Sequence, residues 1–551
     1  MIGRDAKLMD NRHFIGIDVG TGSARAGLFD SNGALLGTAR RDIALWRDGH
    51  DIAEQSSDDI WRAVCAAARE AVANAKVNPG TVAGIGFDAT CSLVVLGDGG
   101  RPVAVGSHGD DQRNIIVWMD HRATSQARHI NATGHSVLDY VGGAISPEME
   151  TPKLLWLKEN LPETYAAAWQ FFDLADFLTW RASGSLARSV CTVTCKWTYL
   201  AHDRKWDETY FRQIGLGDLA DGGFARIGTD IVSAGHPLGA GLTEMAAAEL
   251  ALTPGTAVGA GLIDAHAGGI GTVGGTATST MAYVLGTSAC TMASSDTPIF
   301  IPGVWGPYFS AMVPGLWLNE GGQSSAGAAI DQAIALHPAA AEAQALAASR
   351  GVSLPDLLAD MASDRIRNGS AAIDLAGALV VVPDFLGNRS PFADPEARAI
   401  IAGLGMERDL DSLVALYVAT LLGLGYGLRQ IIESSREGGA STGTIALSGG
   451  AGRHPLVPQL LADCTGVPVA VSRQSEPVLL GAAMLGATAA GAFADLPATM
   501  VAMTENADVF SPSPPLPAQA QHFEAFATLQ QTARALRNIT RQGDGYGQPA
   551  A

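Results

Sequence analysis

Residues 14–37 read FIGIDVGTGSARAGLFDSNGALLG. Two apolar runs flank a Gly-Thr-Gly-Ser turn, and a second turn, Asp-Ser-Asn-Gly, leads into a third run, so the stretch predicts a three-stranded meander. A strand that turns back on itself does not feed a helix, and no G-x-x-x-x-G-K-[ST] is present, which excludes a Walker loop. Gly20 and Gly22 would let the backbone approach a phosphate, while Thr21, Ser23 and Arg25 supply hydroxyl and guanidinium donors. Asp18, at the end of the first run, suits a hydrated Mg2+ bridging it to that phosphate. The competing reading is a plain hairpin whose glycines serve positive φ.

The motif returns. TSTMAYVLGTSACTMAS (278–294) is again a strand, a small Gly-Thr-Ser turn at 286–288 and a returning strand. Two such hairpins suggest two similarly built halves, each presenting a phosphate clamp to a common cleft. Elsewhere strands alternate with helices. TVAGIGFDATCSLVVLG (81–97) is strand, Asp88-bearing loop, strand. ALAASRGVSLPDLLADMAS (345–363) has helical spacing, and LDSLVALYVATLLGLGYGLRQIIESS (410–435) reads as a central buried helix. GTIALSGGAGRHPLVPQLLADCTGVPVAVS (443–472) reads as strand, Gly-Gly turn, helix, strand, with Pro455 near the helix start and Gly466 just past its end. Gly449 and Gly450 would let a flat base or ribose lie against the backbone. The small-residue helix in 476–493 is expected to pack tightly against that unit. These patterns predict an α/β chain.

Composition narrows the function. At 551 residues the chain exceeds one compact core. With 47% hydrophobic and 17% charged residues it is a well-packed globular sequence, not a disordered one. A formal charge of −19 argues against nucleic acid or an anionic membrane as partner. The N-terminal MIGRDAKLMDNRHF lacks a signal-like apolar run, and no stretch of ~18 apolar residues predicts a membrane span, so a cytoplasmic location is expected. The six scattered cysteines fit reduced thiols. Cys191 and Cys195 form C-x-x-x-C, but without a second pair or a His close in the chain they read as small packing residues.

GLIDAHAGG (261–269) sets Asp264 and His266 among glycines and small residues. Such neighbours leave room for a carboxylate to touch a substrate hydroxyl, as a general base must. The alternative is a cap on the helix that follows. GIGTVG (269–274) satisfies G-x-G-x-x-G but lacks the βαβ context of a dinucleotide site.

Together GIDVGTGSARAGLFD (16–30), SPEMETPKLLWLKEN (146–160), GLIDAHAG (261–268), GTS (286–288) and LSGGAGRHPLVPQLLADCTGVPV (447–469) resemble the FGGY carbohydrate kinases. The resemblance spans about 14–495. It implies two actin/hexokinase-like (ribonuclease H-like) lobes with a central cleft. It places a sugar-binding N-terminal lobe over 1–255, an ATP-binding C-terminal lobe over 256–510, and a linker, last helix (about 519–540) and tail over 511–551. FDATCSLVVL (87–96), with its TCSLV string, and DFLGNRSPFADPEARAIIAGL (384–404) look most like the pentulose kinase branch that phosphorylates D-ribulose.

By this resemblance Asp264 is the base that accepts the proton of the attacking hydroxyl, and the cofactors are ATP and Mg2+. Lys196 and Glu320 would hydrogen-bond sugar hydroxyls, since a hydroxyl buried without a partner costs about 1–3 kcal/mol. Asp88 and Ala89 would border the same pocket. Asp120 matches the family's W-x-D segment and is read either as a sugar contact or as a helix cap. On the nucleotide side stand Gly286, Thr287, Gly327, Gly449, Gly450 and His454. Here Arg453-His454 replaces the family's common Lys-Asn before the proline. A homodimer is the default assembly. Three alternatives stand: another acceptor (L-ribulose, xylulose, ribitol, erythritol or glycerol), a sugar sensor lacking the base, and a chaperone- or filament-like ATPase. Asp264 argues against the second, and the third would need a peptide-binding or polymerising region that is not evident.

Overall fold

In the computed structural model the meander forms as read. β1 (His13–Val19), β2 (Ser23–Asp30) and β3 (Leu35–Asp42) run antiparallel, with Asp18 opposite Arg25 across the first turn. The structure describes residues 12–49, 51–367, 371–504 and 508–543. The start of the N-terminal stretch, through residue 11, and the end of the tail, from 544, lie outside them. β1 is buried throughout, hence its near-continuous apolar run. β3 alternates in exposure and ends in Arg40, Arg41 and Asp42, charges that suit an edge strand. β4 (Val82–Ala89) returns parallel to β1 and sets Asp88 beside Asp18. The short β5 (Ala257–Val258) and β6 (Leu262–Ile263) both pair with β4, giving the order β3-β2-β1-β4-β5.

The second sheet contains β7 (Thr280–Leu285), β8 (Ala289–Ser295), β9 (Trp305–Phe309), β10 (Trp317–Gln323), β11 (Thr444–Ser448), β12 (Val469–Val471) and β13 (Asp508–Phe510). Its order is β9-β10-β8-β7-β11-β12-β13. The inner strands β10-β8-β7-β11-β12 repeat the first sheet, two antiparallel pairings followed by two parallel ones. Two α/β lobes of one topology are therefore present, as the paired hairpins predict.

The helices that matter for the site are α1 (Ser57–Ala75), α2 (Val190–Trp197), α3 (Asp264–Val273), α4 (Gly327–Ala335), α5 (Leu354–Arg367), α6 (Leu410–Glu437), α7 (Pro477–Ala489) and α8 (Pro517–Gly543). α6 is the expected buried helix. Asp409 caps it by accepting the Ser412 N–H at 2.9 Å, and 72% of its most apolar window is buried, so its apolarity serves the second core. The helical run predicted across 345–363 is broken: Gly351, at φ 68°, ends one helix (Ala340–Arg350), and α5 begins three residues later. α8 lies over the second lobe, where His522 meets the Tyr426 hydroxyl at 3.2 Å and the Leu379 carbonyl at 2.8 Å.

α7 departs from the expected packing. It lies not on the 443–472 unit but on β1, β4 and α3, between the two sheets. The contact is backbone to backbone. A Cβ added at Gly86 of β4 would lie 2.0 Å from the Ala482 carbonyl oxygen, and one at Gly481 of α7 would lie 1.9 Å from that of Ala267. One apolar core thus runs from Phe14 through Leu262 and Leu480 to Ala282 and Ala446. Gly86→Ala is expected to destabilise the protein by about 1–3 kcal/mol or more, because the obstructing atom is backbone. A thermal or urea melt against wild type measures this.

Candidate active site

Seven of the predicted residues line one cleft of about 370 Å³ between the sheets: Asp18, Gly20, Thr21, Arg25, Lys196, Asp264 and Glu320. Regular elements place four of them. Asp18 closes β1, Lys196 ends α2, Asp264 opens α3 straight after β6, and Glu320 lies mid-strand on β10.

The first turn is held from below. Thr21 accepts the Trp118 Nε1–H on its hydroxyl at 2.9 Å and the Gln55 side-chain N–H on its carbonyl at 2.7 Å. Neither Gly20 nor Gly22 has positive φ, so the plain-hairpin explanation of these glycines fails. Nothing lies within 4 Å of a Cβ added at Gly22; the space above the turn is open to a close-approaching group. Ser23, half-buried, opens β2 and accepts the Gly20 N–H on its carbonyl at 3.0 Å. Arg25 is already committed: its Nε donates to Asp18 Oδ2 at 2.7 Å and its Nη1 to Glu476 Oε2 at 2.9 Å.

Carboxylates crowd the cleft floor. Asp88 does not line the cleft but is fully buried next to Asp18; neither of its oxygens has a hydrogen-bond partner, and burial together with Asp18 and Asp264 pushes its pKa far up. Ala89 is buried beside it, opposite Ile263. Burial and Asp18 raise Asp264 to about 6, although its Oδ1 accepts the Ala265 N–H at 2.7 Å at the helix start. Lys196 and Glu320 line the same cleft as an oppositely charged pair. Burial works against the charge of Lys196, but Cys91 and Glu320 outweigh it and raise its pKa. Glu320, despite burial, is lowered to about 2 by His266 and Lys196.

Besides Asp88 and Ala89, which are buried and do not line the cleft as expected, Asp120 and His454 sit elsewhere. Asp120 is buried outside the cleft in an ion pair with Arg122, 2.7 Å away, and its Oδ2 also accepts the Ala53 N–H at 2.7 Å. It caps no helix, for the helix at Thr124–Ala132 has no side-chain cap. His454 accepts the Leu456 N–H on Nδ1 and turns Nε2 to Asp360 of α5, so both ring nitrogens are engaged within the protein.

A second recess of about 230 Å³ joins the cleft at Arg25 and is lined by Gly449, Gly450 and Arg453. Gly449 has φ 102°, and a Cβ there would strike the Leu285 carbonyl oxygen at 2.3 Å, whereas one at Gly450 meets nothing. Gly286 and Thr287 are exposed at the second turn, which is locked onto α4: Gly327 donates its N–H to the Gly286 carbonyl at 2.9 Å.

Sequence reading gave no role to Arg389, Glu148, Trp118 or Trp305, which also line the cleft. Lys196 and Arg389 both approach the Trp305 ring, at 5.3 and 5.4 Å from its centroid. Arg389 and Glu148 lie inside segments quoted above for the resemblance, but an Arg in a turn or one Glu among several charged residues carries no signal of its own.

The sequence models of the FGGY family of carbohydrate kinases match here in full order, the N-terminal domain over residues 13–271 and the C-terminal domain over 281–490. The chain belongs to the FGGY carbohydrate kinase family. It is an enzyme of that class, transferring a phosphoryl group from ATP to a sugar or polyol hydroxyl. It is 47% identical to a human FGGY carbohydrate kinase domain-containing protein over 514 residues, covering 91% of this chain and 93% of that one. A D-ribulokinase of Saccharomyces cerevisiae is 39% identical over 517 residues, 88% of this chain and 72% of the relative. Among solved structures, the xylulose kinase of Rhodospirillum rubrum superposes with a TM-score of 0.77 at 21% identity, covering 95% of this chain and 99% of that one, and so shares the two-lobe fold.

The raised pKa of Asp264 has a stability consequence. A carboxyl raised in the folded state penalises folding once ionised: the penalty is absent below the unfolded value near 4, grows as pH rises, and is complete above about 6. Asp264→Asn is therefore expected to be more stable than wild type at pH 7–8 by about 1–2 kcal/mol, allowing for the residue's partial access to the cleft, with the difference vanishing near pH 4. Melting curves of both proteins across pH check this.

Proposed function

We propose that this kinase phosphorylates the terminal hydroxyl of a pentulose, D-ribulose, to give D-ribulose 5-phosphate, using ATP with Mg2+. The observation that carries the mechanism is Asp264: a carboxylate with its pKa raised to about 6, lining the same cleft of about 370 Å³ as Lys196 and Glu320. Asp264 takes the proton from the attacking hydroxyl as its oxygen bonds to the γ-phosphorus and ADP leaves. Lys196 and Glu320 offer a fixed donor and acceptor to the sugar hydroxyls. The open backbone at Gly22 and the exposed second turn at Gly286 and Thr287 suit the phosphates, and Gly449 and Gly450 suit the nucleoside.

A divalent cation fits the floor of the cleft. Asp18 and Asp264 line it, and Asp88, buried beside Asp18, is pushed up by both and has no partner on either oxygen. Asp18 would hold Mg2+, which when bound neutralises phosphate charge during transfer. Arg25 then acts mainly by fixing Asp18. The choice of D-ribulose rests on likeness: the FDATCSLVVL and GNRSPFADPEAR segments, together with 39% identity to a protein described as a D-ribulokinase.

A coupled ADP-release assay over ketopentoses, polyols and glycerol tests the reading. D-ribulose is expected to give the highest kcat/KM, and Asp264→Asn to lose about 10²–10⁴-fold in kcat while remaining folded. A clear preference for another acceptor overturns the substrate, and ADP release independent of any acceptor overturns the kinase reading. The pH profile supplies a further check. A base must be ionised, so kcat/KM should rise with pH through about 6 and level above it. Gly22→Ala should raise the KM for ATP with little change in melting temperature, since its new methyl meets no protein atom.

A further inference from the structure

Behind the sugar wall lies a group of side chains that phosphoryl transfer does not use. Cys191 and Cys195 stand one turn apart on α2, so their thiols share a face. His266 reaches that face from α3, and the two sulfurs and one imidazole nitrogen lie within 4.8 Å of one another, all fully buried. Read along the chain, the nearest histidine, His202, is seven residues past Cys195 and stacks on Tyr140 instead. The fold supplies one from 71 residues further on.

The orientation of the imidazole is specific. Nδ1 faces Cys191 Sγ at 3.0 Å, while Nε2 faces Glu320 Oε2 at 3.4 Å. A carboxylate on the far nitrogen is the arrangement that fixes the tautomer of a metal-bound histidine and strengthens its donor atom. The backbone N–H of Ile263 points at Cys191 Sγ at 3.5 Å, a contact that supports thiolate character. Two sulfurs and one nitrogen make a soft, compact donor set that matches a tetrahedral d-block ion with one position left open, and it is a poor match for Mg2+, which takes oxygen ligands.

We infer that Cys191, Cys195 and His266 form a binding site for a soft divalent cation of the zinc type, distinct from the cation site at Asp18. The ion takes the place of the proton between Cys191 and His266 Nδ1 and displaces the thiol proton of Cys195. Occupancy fastens α2, which carries Lys196, to α3, which carries Asp264, so the two walls of the acceptor pocket become one unit. The inference does not depend on which sugar is phosphorylated.

Cobalt is the probe. The reduced, chelator-stripped full-length chain is titrated with Co2+, both when folded and during slow refolding, and its absorption is followed. The expected result is a single equivalent bound with a tetrahedral visible spectrum and thiolate-to-cobalt charge transfer, bleached by Zn2+ and unaffected by Mg2+ in excess. Binding should release protons, and Zn2+ should raise the melting temperature until chelator is added. Cys191→Ser and Cys195→Ser should each lower the charge-transfer intensity. Glu320→Gln should weaken binding about 10–100-fold by loosening the histidine. Absence of charge transfer in the wild-type chain overturns the site. So does a wild-type spectrum retained in both Cys→Ser variants, or one lost equally in Cys65→Ser, whose thiol lies in another core.

Discussion

The seat of α7 on the first sheet is the constraint on which the rest depends. Its helix backbone touches strand backbone at Gly86 and helix backbone at Ala267, a closeness that only residues without a Cβ allow. This contact fastens an element from the end of the second lobe to the first, bringing Glu476, just ahead of the helix, to Arg25 in the first hairpin. Arg25 in turn orients Asp18. The cleft therefore inherits its geometry from a packing contact that contains no functional group.

On that frame the chain concentrates like charges where chemistry needs them. Asp18 raises the proton affinity of Asp88 and Asp264, while Lys196 and Arg389 crowd the face of Trp305. Such an arrangement opposes folding, and the proposed cation and sugar would complete the missing pairings. Stability is lost locally where Asp264 is held with its pKa near 6, and the surrounding apolar core offsets it.

Much of the fold was legible because its signals are local. Hairpins announce themselves by turn residues between apolar runs, and the 410–437 helix by its periodicity. Asp264, Lys196 and Glu320 were legible through their segments, and the structure gathers them into one cleft. The failures share a cause. Asp120 looked like a site residue because nothing in its neighbourhood reveals that Arg122 folds back onto it. His454 could not be known to spend its ring on Leu456 and Asp360. The break at Gly351 was hidden by apolar spacing that continues on both sides of it.

By itself the sequence determined the two hairpins, the α/β alternation, the repeated plan of the two halves and the small residues around Asp264, since each depends on neighbours within a few positions. Only the tertiary structure decided where α7 lies, that Arg389 and Trp305 face Lys196, and that His266 meets Cys191 and Cys195. These pairings join segments tens to hundreds of residues apart. They are selected by the packing of whole helices against sheets, and no local pattern encodes which distant surface a small-residue face will meet.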